Sequence, residues 1–450
     1  MKTHAVTGLA LLASVTALAC SDDDERDPTA SSSDALTGTQ MVEPLKNDRG
    51  SAQTATPNGS IDTSNAFFRS LGTNGRSCGS CHVADQGWTI SPAGLKKRFD
   101  ATGGLDEIFL RLDGADSPTA ANGTVDERRA ASSNLLSRGT IRVGLPRTRP
   151  APTWDIDIDI VADPKNTNAL TPVNGQVSFF RRPLPVANLR FTAAINWDGR
   201  NTPDLTTMRP GLLAQSNGAT TGHAQGAPID DATRAQIVDF ELGLYTAQVK
   251  HDIAGNLTSS NANGGPGPLL TQAFAINANS GAAFERKVFD IYDAWNDAGN
   301  SGRNGGRADV AAGQRVFNEK TFGPSNDRTC SGCHNAANVG SGTRFAFFDV
   351  GISDARRWNG NVPLYRVRQK SNPANVIETT DPGRAMITGA WADLNRFKVP
   401  GLRGLAARPP YFHDGSAATI ADVVDHYERH FGIAFNGDEK RQLVMFLESL

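Results

Sequence analysis

The chain carries Cys78-Gly79-Ser80-Cys81-His82 and, 252 positions later, Cys330-Ser331-Gly332-Cys333-His334. Cys-x-x-Cys-His is the spacing that attaches a c-type haem. Two thiols three positions apart add across the two vinyl groups, and the adjacent histidine is then held beneath the iron as proximal ligand. A zinc site would need further Cys or His at finger-like spacing, and neither run has them. A redox dithiol would sit beside a βαβ pattern, which is absent. The reading is two covalent haems, attached at Cys78, Cys81, Cys330 and Cys333, with His82 and His334 as iron ligands.

The composition agrees with two buried prosthetic groups. Of 450 residues only 38% are hydrophobic, while glycine (45) and proline (24) are plentiful, so loop-rich domains need something besides side chains to complete their cores. A net charge of −2 gives no basis for nucleic-acid binding. Residues 1–19 read as a signal peptide, with Lys2 as a short positive start and Ala17-Leu18-Ala19 as a small-residue cleavage site. The apolar run is too short to span a bilayer. Cys20, the fifth cysteine, then stands first in the mature chain, as in a lipoprotein signal, although Ala17 occupies a place where leucine is usual. The expectation is a periplasmic protein whose only membrane contact is a lipid anchor at Cys20.

Residues 20–60, rich in Ser, Asp, Thr, Pro and Gly, read as a disordered tether. One haem domain is expected over residues 61–250 and a second over 305–450, with the Asn-, Gly- and Ser-rich stretch 251–304 as linker or long loop. Trp154-Asp155-Ile156-Asp157-Ile158-Asp159-Ile160 alternates as a half-buried strand does, and suits a small hairpin on a helical body. Ile237, Phe240 and Leu244 recur at helical spacing, as do Leu443, Phe446 and Leu447 near the C-terminus. The fold expected is mainly α: two cytochrome c-like haem domains with minor β-hairpin elements and long loops.

Phe397-Lys398-Val399-Pro400-Gly401-Leu402-Arg403-Gly404-Leu405, followed by Pro410-Tyr411-Phe412-His413-Asp414-Gly415-Ser416, resembles the C-terminal signature of bacterial dihaem cytochrome c peroxidases. Trp197-Asp198-Gly199-Arg200 resembles the same family's segment between the haems. The likeness spans roughly residue 60 to the C-terminus, with long insertions. The family includes hydrogen peroxide reductases and MauG-type enzymes, which use peroxide to oxidise residues of a partner protein. Enzymes of the MbnH type, acting on a partner's tryptophan, are the subgroup the chain is most similar to.

The resemblance implies that the N-terminal haem, under His82, reacts with peroxide and that the C-terminal haem, under His334, stores or passes electrons. It places Trp197 between them as a relay; a core tryptophan capping a turn is the alternative. The sixth ligand of the second haem falls fourteen residues after His413, at Tyr427, where peroxide reductases have methionine and MauG-type enzymes tyrosine. His426, Met386 and Met445 are the rivals. A phenolate stabilises iron(III) and lowers its potential. The family's distal glutamate has no counterpart in residues 215–225, where His223 is the candidate proton carrier and Gln215 and Gln225 candidates for holding peroxide or water. An exposed loop histidine is the alternative for His223. Arg200, Arg403 and His413 are implied partners of the haem propionates, His413 alternatively bonding a neighbouring loop. A calcium ion between domains is left open, because Arg408 and Pro410 stand at its carbonyl positions while Arg182 replaces its asparagine and Asn188 is near. The leading expectation is peroxide activation followed by long-range oxidation of a partner protein's side chain. The alternatives are a peroxidase fed by a small cytochrome or cupredoxin, and a dihaem electron carrier without catalysis.

Overall fold

A computed structural model describes residues 44–150, 153–202 and 206–450. The signal peptide, Cys20 and most of the tether lie outside the described residues. Among these residues there are eleven α-helices and several small sheets, with 34% of the chain helical and about 15% in strands. No helix of the described residues is long and apolar enough to cross a membrane.

The helical frame follows from local signals. Asp230 accepts from the Thr233 amide and caps the helix Asp231–Leu242, whose Ile237 and Val238 are buried. Thr419 and Asp422 form a capping box at the start of Ile420–Phe431, and Asn436 with Glu439 does the same for Gly437–Glu448. The helix Gly302–Glu319 packs against Gly437–Glu448 over the aromatic trio Phe289, Phe317 and Phe446, whose ring centroids lie 5.2 to 5.7 Å apart. Gly313 makes that approach feasible, since a Cβ there would lie 1.9 Å from the Gln442 carbonyl. Phe317 in turn stands 6.2 Å from the His334 ring, so this helix pair supports the second motif.

The strands tie the two halves together. The alternating segment forms Ile156–Ala162, with Ile156 and Ile158 buried and Asp157 and Asp159 outward. It is not half of a local hairpin. It pairs with Leu364–Gln369 in a three-stranded antiparallel sheet, across roughly two hundred residues. Ordered structure also begins before the expected end of the tether. Leu45–Asn47 and Gly50–Ala55 are strands in a sheet with Tyr245–His251 and Gly255–Asn256. The side chains that bury there, Ala52, Thr54 and Ala55, are too small to give a hydrophobic signal. Residues 251–304 do not form a linker either. Leu257, Ile291, Tyr292 and Trp295 are buried in the core of the C-terminal half. Tyr292 donates to the Ser449 carbonyl at 2.6 Å and Trp295 to Ser259 at 3.0 Å. Near Trp295 the chain makes only the single helical turn Asp293–Trp295.

Candidate haem centres

Both Cys-x-x-Cys-His runs fold into one helical turn, Cys78–Ser80 and Cys330–Cys333, which ends at the histidine-bearing segment. His82 Nδ1 lies 3.2 Å from the Trp88 carbonyl, and His334 Nδ1 lies 2.6 Å from the Gly340 carbonyl. In each case the carbonyl stands six residues after the histidine. A carbonyl can only accept, so Nδ1 carries the hydrogen and Nε2 keeps a lone pair for a metal. Burial pushes both imidazoles down to about 4, which keeps them neutral. Burial also pushes the Cys78 and Cys330 thiols up to about 12 and Cys81 up to about 11. A redox dithiol requires a lowered thiol pKa, so this environment suits attachment instead. Trp88 holds a left-handed backbone (φ 62°), which costs about 1–3 kcal/mol in an ordinary residue. Full burial and an indole hydrogen bond to Thr54 at 2.9 Å offset this strain, and the Trp88 carbonyl reaches His82.

The two motifs face separate cavities. The first, of about 220 Å³, is lined by Cys78, Cys81, His82, Gln215, His223 and Glu241. The second, of about 610 Å³, is lined by Cys330, Cys333, His334, Tyr427 and a set of aromatic side chains that includes Phe317 and Phe412. Trp197 lines both. Its indole donates to the Arg182 carbonyl at 2.8 Å, and the Lys398 amide donates to its own carbonyl at 2.9 Å. Beside it Asp198 is fully buried between Arg181 (2.5 Å) and Arg200 (2.8 Å). Burial pushes Asp198 up, but the two guanidiniums outweigh it and hold the carboxyl at about 2. Gly199 closes this turn at φ 70°, where a Cβ would lie 2.4 Å from the Phe347 ring.

The remaining candidates divide by position. Arg200 and Arg403 line the first cavity and His413 the second. His413 is buried, stacks on Phe397 at 3.9 Å and meets Ser353 at 3.4 Å, so it bonds a neighbouring loop. Gln225 bonds Asn74 and does not line the first cavity. The three rivals of Tyr427 point elsewhere. His426 is held by the Val350 carbonyl at 2.7 Å and by Arg357. Met386 lies in the core beside the three-stranded sheet and Met445 in the C-terminal core. The calcium expectation finds little support. The Arg408 carbonyl already faces the Arg182 guanidinium, Asn188 is bonded to Thr246, and no cluster of three or more His, Cys, Asp or Glu forms a metal site among the described residues.

Four cations, of which the sequence resemblance had named only Arg403 as a propionate partner, supply the test of whether haem fits. Arg182, Lys398 and Arg403 are buried cations at these cavities, Arg408 is a half-buried one with a buried Nε, and each has only neutral hydrogen-bond partners. Lys398 donates to Thr192 Oγ1 and the Ala194 carbonyl, both at 2.7 Å. The Nε atoms of Arg403 and Arg408 have no acceptor at all. Burial pushes Lys398 down to about 7, Arg182 to about 9, and Arg403 and Arg408 to about 10. Buried cations without counter-ions are costly and call for anions. Haem propionates are such anions, and Arg182, Lys398 and Arg408 line both cavities, where propionates of either haem would be shared. Neutral histidines, paired thiols and an uncompensated cationic wall all fit haem. Lys398 ends the short strand Arg396–Lys398, and neither it nor Arg182 carried a sequence signal for this role.

No family model matches the chain. Among curated proteins it is 24% identical over 290 residues to the cytochrome-c peroxidase IdrP2 of Denitromonas iodatirespirans, covering 61% of this chain and 69% of that one. It is 26% identical over 298 residues to the methylamine utilization protein MauG of Methylorubrum extorquens, covering 61% and 66%. A stretch of 85 residues is 44% identical to the cytochrome c551 peroxidase of Nitrosomonas europaea, 18% of this chain but only 25% of that relative's length. A solved structure described as a MauG-like protein associated with microbial copper homeostasis aligns with 87% of this chain and 89% of its own, at 17% identity and a TM-score of 0.41. Relatives of both names extend over more than half of a chain that carries two attachment motifs, and together they support the dihaem cytochrome c peroxidase/MauG family.

Proposed function

We propose that this chain is an exported enzyme, lipid-anchored through Cys20, that activates hydrogen peroxide at the His82 centre and oxidises a side chain of a partner protein, with tryptophan the leading candidate. The observation that carries the reading is Trp197, which lines the cavities of both motifs. When bound, a c-type haem with one open face supplies the iron chemistry that divides peroxide. The chain's own residues set where this happens. At the first cavity Gln215 and His223 offer polar groups that can hold peroxide and move its proton, while the helix Ile420–Phe431 brings only Tyr427 as a polar group to the second cavity. Tyr427 would join His334 in holding the second centre's iron. Its burial raises its phenol pKa, so loss of its proton depends on a cation beside it. Trp197 divides one long electron transfer into two shorter ones. The apolar wall of the second cavity keeps water from the oxidising equivalents before the partner docks.

The test is to add stoichiometric peroxide to the fully ferric protein and follow absorption and electron paramagnetic resonance. A reaction without prior reduction that alters the signals of both centres supports the proposal. Two six-coordinate low-spin centres inert to peroxide would make the chain an electron carrier. Turnover only after reduction, with a reduced small cytochrome or cupredoxin as donor, would make it a peroxide reductase.

A further inference from the structure

His223 follows the helix Arg209–Gly222 and its Nδ1 lies 2.5 Å from Asp113 Oδ2. The other carboxylate oxygen, Oδ1, lies 2.5 Å from Arg76 Nη1. Asp113 and Arg76 are 6% and 2% exposed, so this pair is closed to solvent. Arg76 is fixed in turn. Its Nε donates to the Glu107 carbonyl at 2.7 Å, Nη2 to the Ile108 carbonyl at 3.2 Å, and Nη1 to the His223 carbonyl at 3.3 Å. Asn74 also donates to that last carbonyl, at 2.8 Å. Both the backbone and the ring of His223 are therefore held by residues just ahead of Cys78 and by the loop around Asp113.

We propose that Asp113 is the positioning residue for His223, fixing its imidazole with the hydrogen on Nδ1 and presenting Nε2 to the cavity of the His82 centre. This deepens the peroxide reading above and rests on it. The arrangement needs a carboxylate, and one is present. Burial pushes the Asp113 carboxyl up, but the His223 hydrogen bond and the Arg76 guanidinium outweigh it and hold it below the usual carboxylate range. An ionised Asp113 can only accept, so it selects the tautomer of the ring. It also stabilises the imidazolium formed when Nε2 takes a proton, as the aspartate of a Ser-His-Asp triad does. In the step proposed, one oxygen of hydrogen peroxide gives its proton to Nε2, and Nε2 returns that proton to the other oxygen. The O–O bond breaks with its electron pair on the doubly protonated oxygen, which leaves as water. The other oxygen takes two electrons from the protein's haem centres and two protons from solvent and leaves as a second water, so the two oxidising equivalents stay with those centres, and His223 ends as it began. The glutamate expected from the family is thus replaced by a histidine backed by an aspartate from a distant loop.

The test uses the haem-loaded protein with Asp113→Asn, Asp113→Glu, His223→Gln and the Asp113→Asn/His223→Gln pair. Two rates are measured on the ferric state: the reaction with peroxide and the binding of cyanide, which enters as neutral acid and must surrender a proton to the same base. Asp113→Asn is expected to slow both by roughly 10²- to 10⁴-fold, the range of a general acid–base group. Asp113→Glu should restore much of the loss, and the pair should be no slower than His223→Gln alone. Haem content and ferric spectrum should not change. If the pair is slower than His223→Gln by the full Asp113→Asn factor, or if Asp113→Asn matches wild type, the proposal fails. If Asp113→Asn does not fold, His223→Gln decides: a variant as fast as wild type in both reactions leaves nothing for Asp113 to position. A wild-type protein inert to peroxide overturns the functional reading instead, and cyanide binding still reports on the dyad.

Discussion

Facing His82 the cavity carries Gln215, His223 and Glu241, and facing His334 it carries Tyr427 among phenylalanines and leucines. The attachment chemistry of the two centres is the same to the spacing of the carbonyl that holds each histidine. What differs is supplied by remote segments. A polar, titratable lining can bind a small polar oxidant and move its proton, whereas the helix Ile420–Phe431 offers the second cavity a single phenol, Tyr427, among apolar side chains. Two copies of one attachment motif thus stand in two different linings, and the proposed function gives them different work. Between them the wall of Trp197, Arg182, Lys398 and Arg408 belongs to both.

The most drastic way to break this comparison is to remove one centre at a time. Cys81→Ser and Cys333→Ser should each leave one covalent haem, measured by haemochrome absorbance. Only Cys81→Ser should abolish the reaction with peroxide. Equal loss in both variants would contradict the division of labour.

The polar character of the first cavity should also be visible in stability. Glu241 is buried with Oε2 unpaired, and burial raises its carboxyl to about 8 from an ordinary 4.5. The folded state thus retains a proton that the unfolded chain releases, so stability falls as pH rises from 4.5 through about 8. Between pH 5 and 8 the ceiling on this loss is about 4 kcal/mol, at 1.36 kcal/mol for each pH unit. Denaturant melts should show that slope in the wild type and its removal in Glu241→Gln. An unchanged slope would mean that Glu241 is ionised or paired in the loaded protein.

A smaller effect is expected at the second cavity. Tyr427→Phe should change the ferric spectrum and raise the potential of the His334 centre alone, with a stability change within about 1.5 kcal/mol, the scale of one hydrogen bond. A spectrum that does not move would remove Tyr427 as axial group. Smallest in structural terms is Trp197→Phe, which loses the 2.8 Å bond to Arg182, about 0.5–1.5 kcal/mol. Each centre should keep its own spectrum while the sharing of oxidising equivalents between them slows in freeze-quench spectroscopy. Unchanged sharing would show that the indole is only part of the wall.

Legibility in the sequence tracked the range of the interactions. The haem motifs, the helix Asp231–Leu242 and the C-terminal helix were readable because their determinants lie within one or two turns of chain. The strand at Ile156–Ala162 was readable from its alternation, but its partner was not, since nothing local specifies Leu364–Gln369. Residues 251–304 looked like a linker because Asn, Gly and Ser dominate, yet Tyr292 and Trp295 anchor them in the core. Tyr427 could be counted from His413, but only the packing of its helix turns it, rather than His426, towards the His334 cavity.

By itself the sequence named the places where two prosthetic groups would attach and the histidines that would face them, because covalent chemistry needs two thiols and an imidazole within five consecutive residues. It also pointed to the family, through the short stretches Trp197–Arg200, Phe397–Leu405 and Pro410–Ser416. Only the tertiary structure decided how the two centres differ. The Asp113–His223 pair spans 110 residues, and Lys398 meets Thr192 across 206. The physical reason is that pKa, dielectric and cavity lining depend on what surrounds a group in space, and chain closure over such distances leaves no periodic trace in the residues themselves.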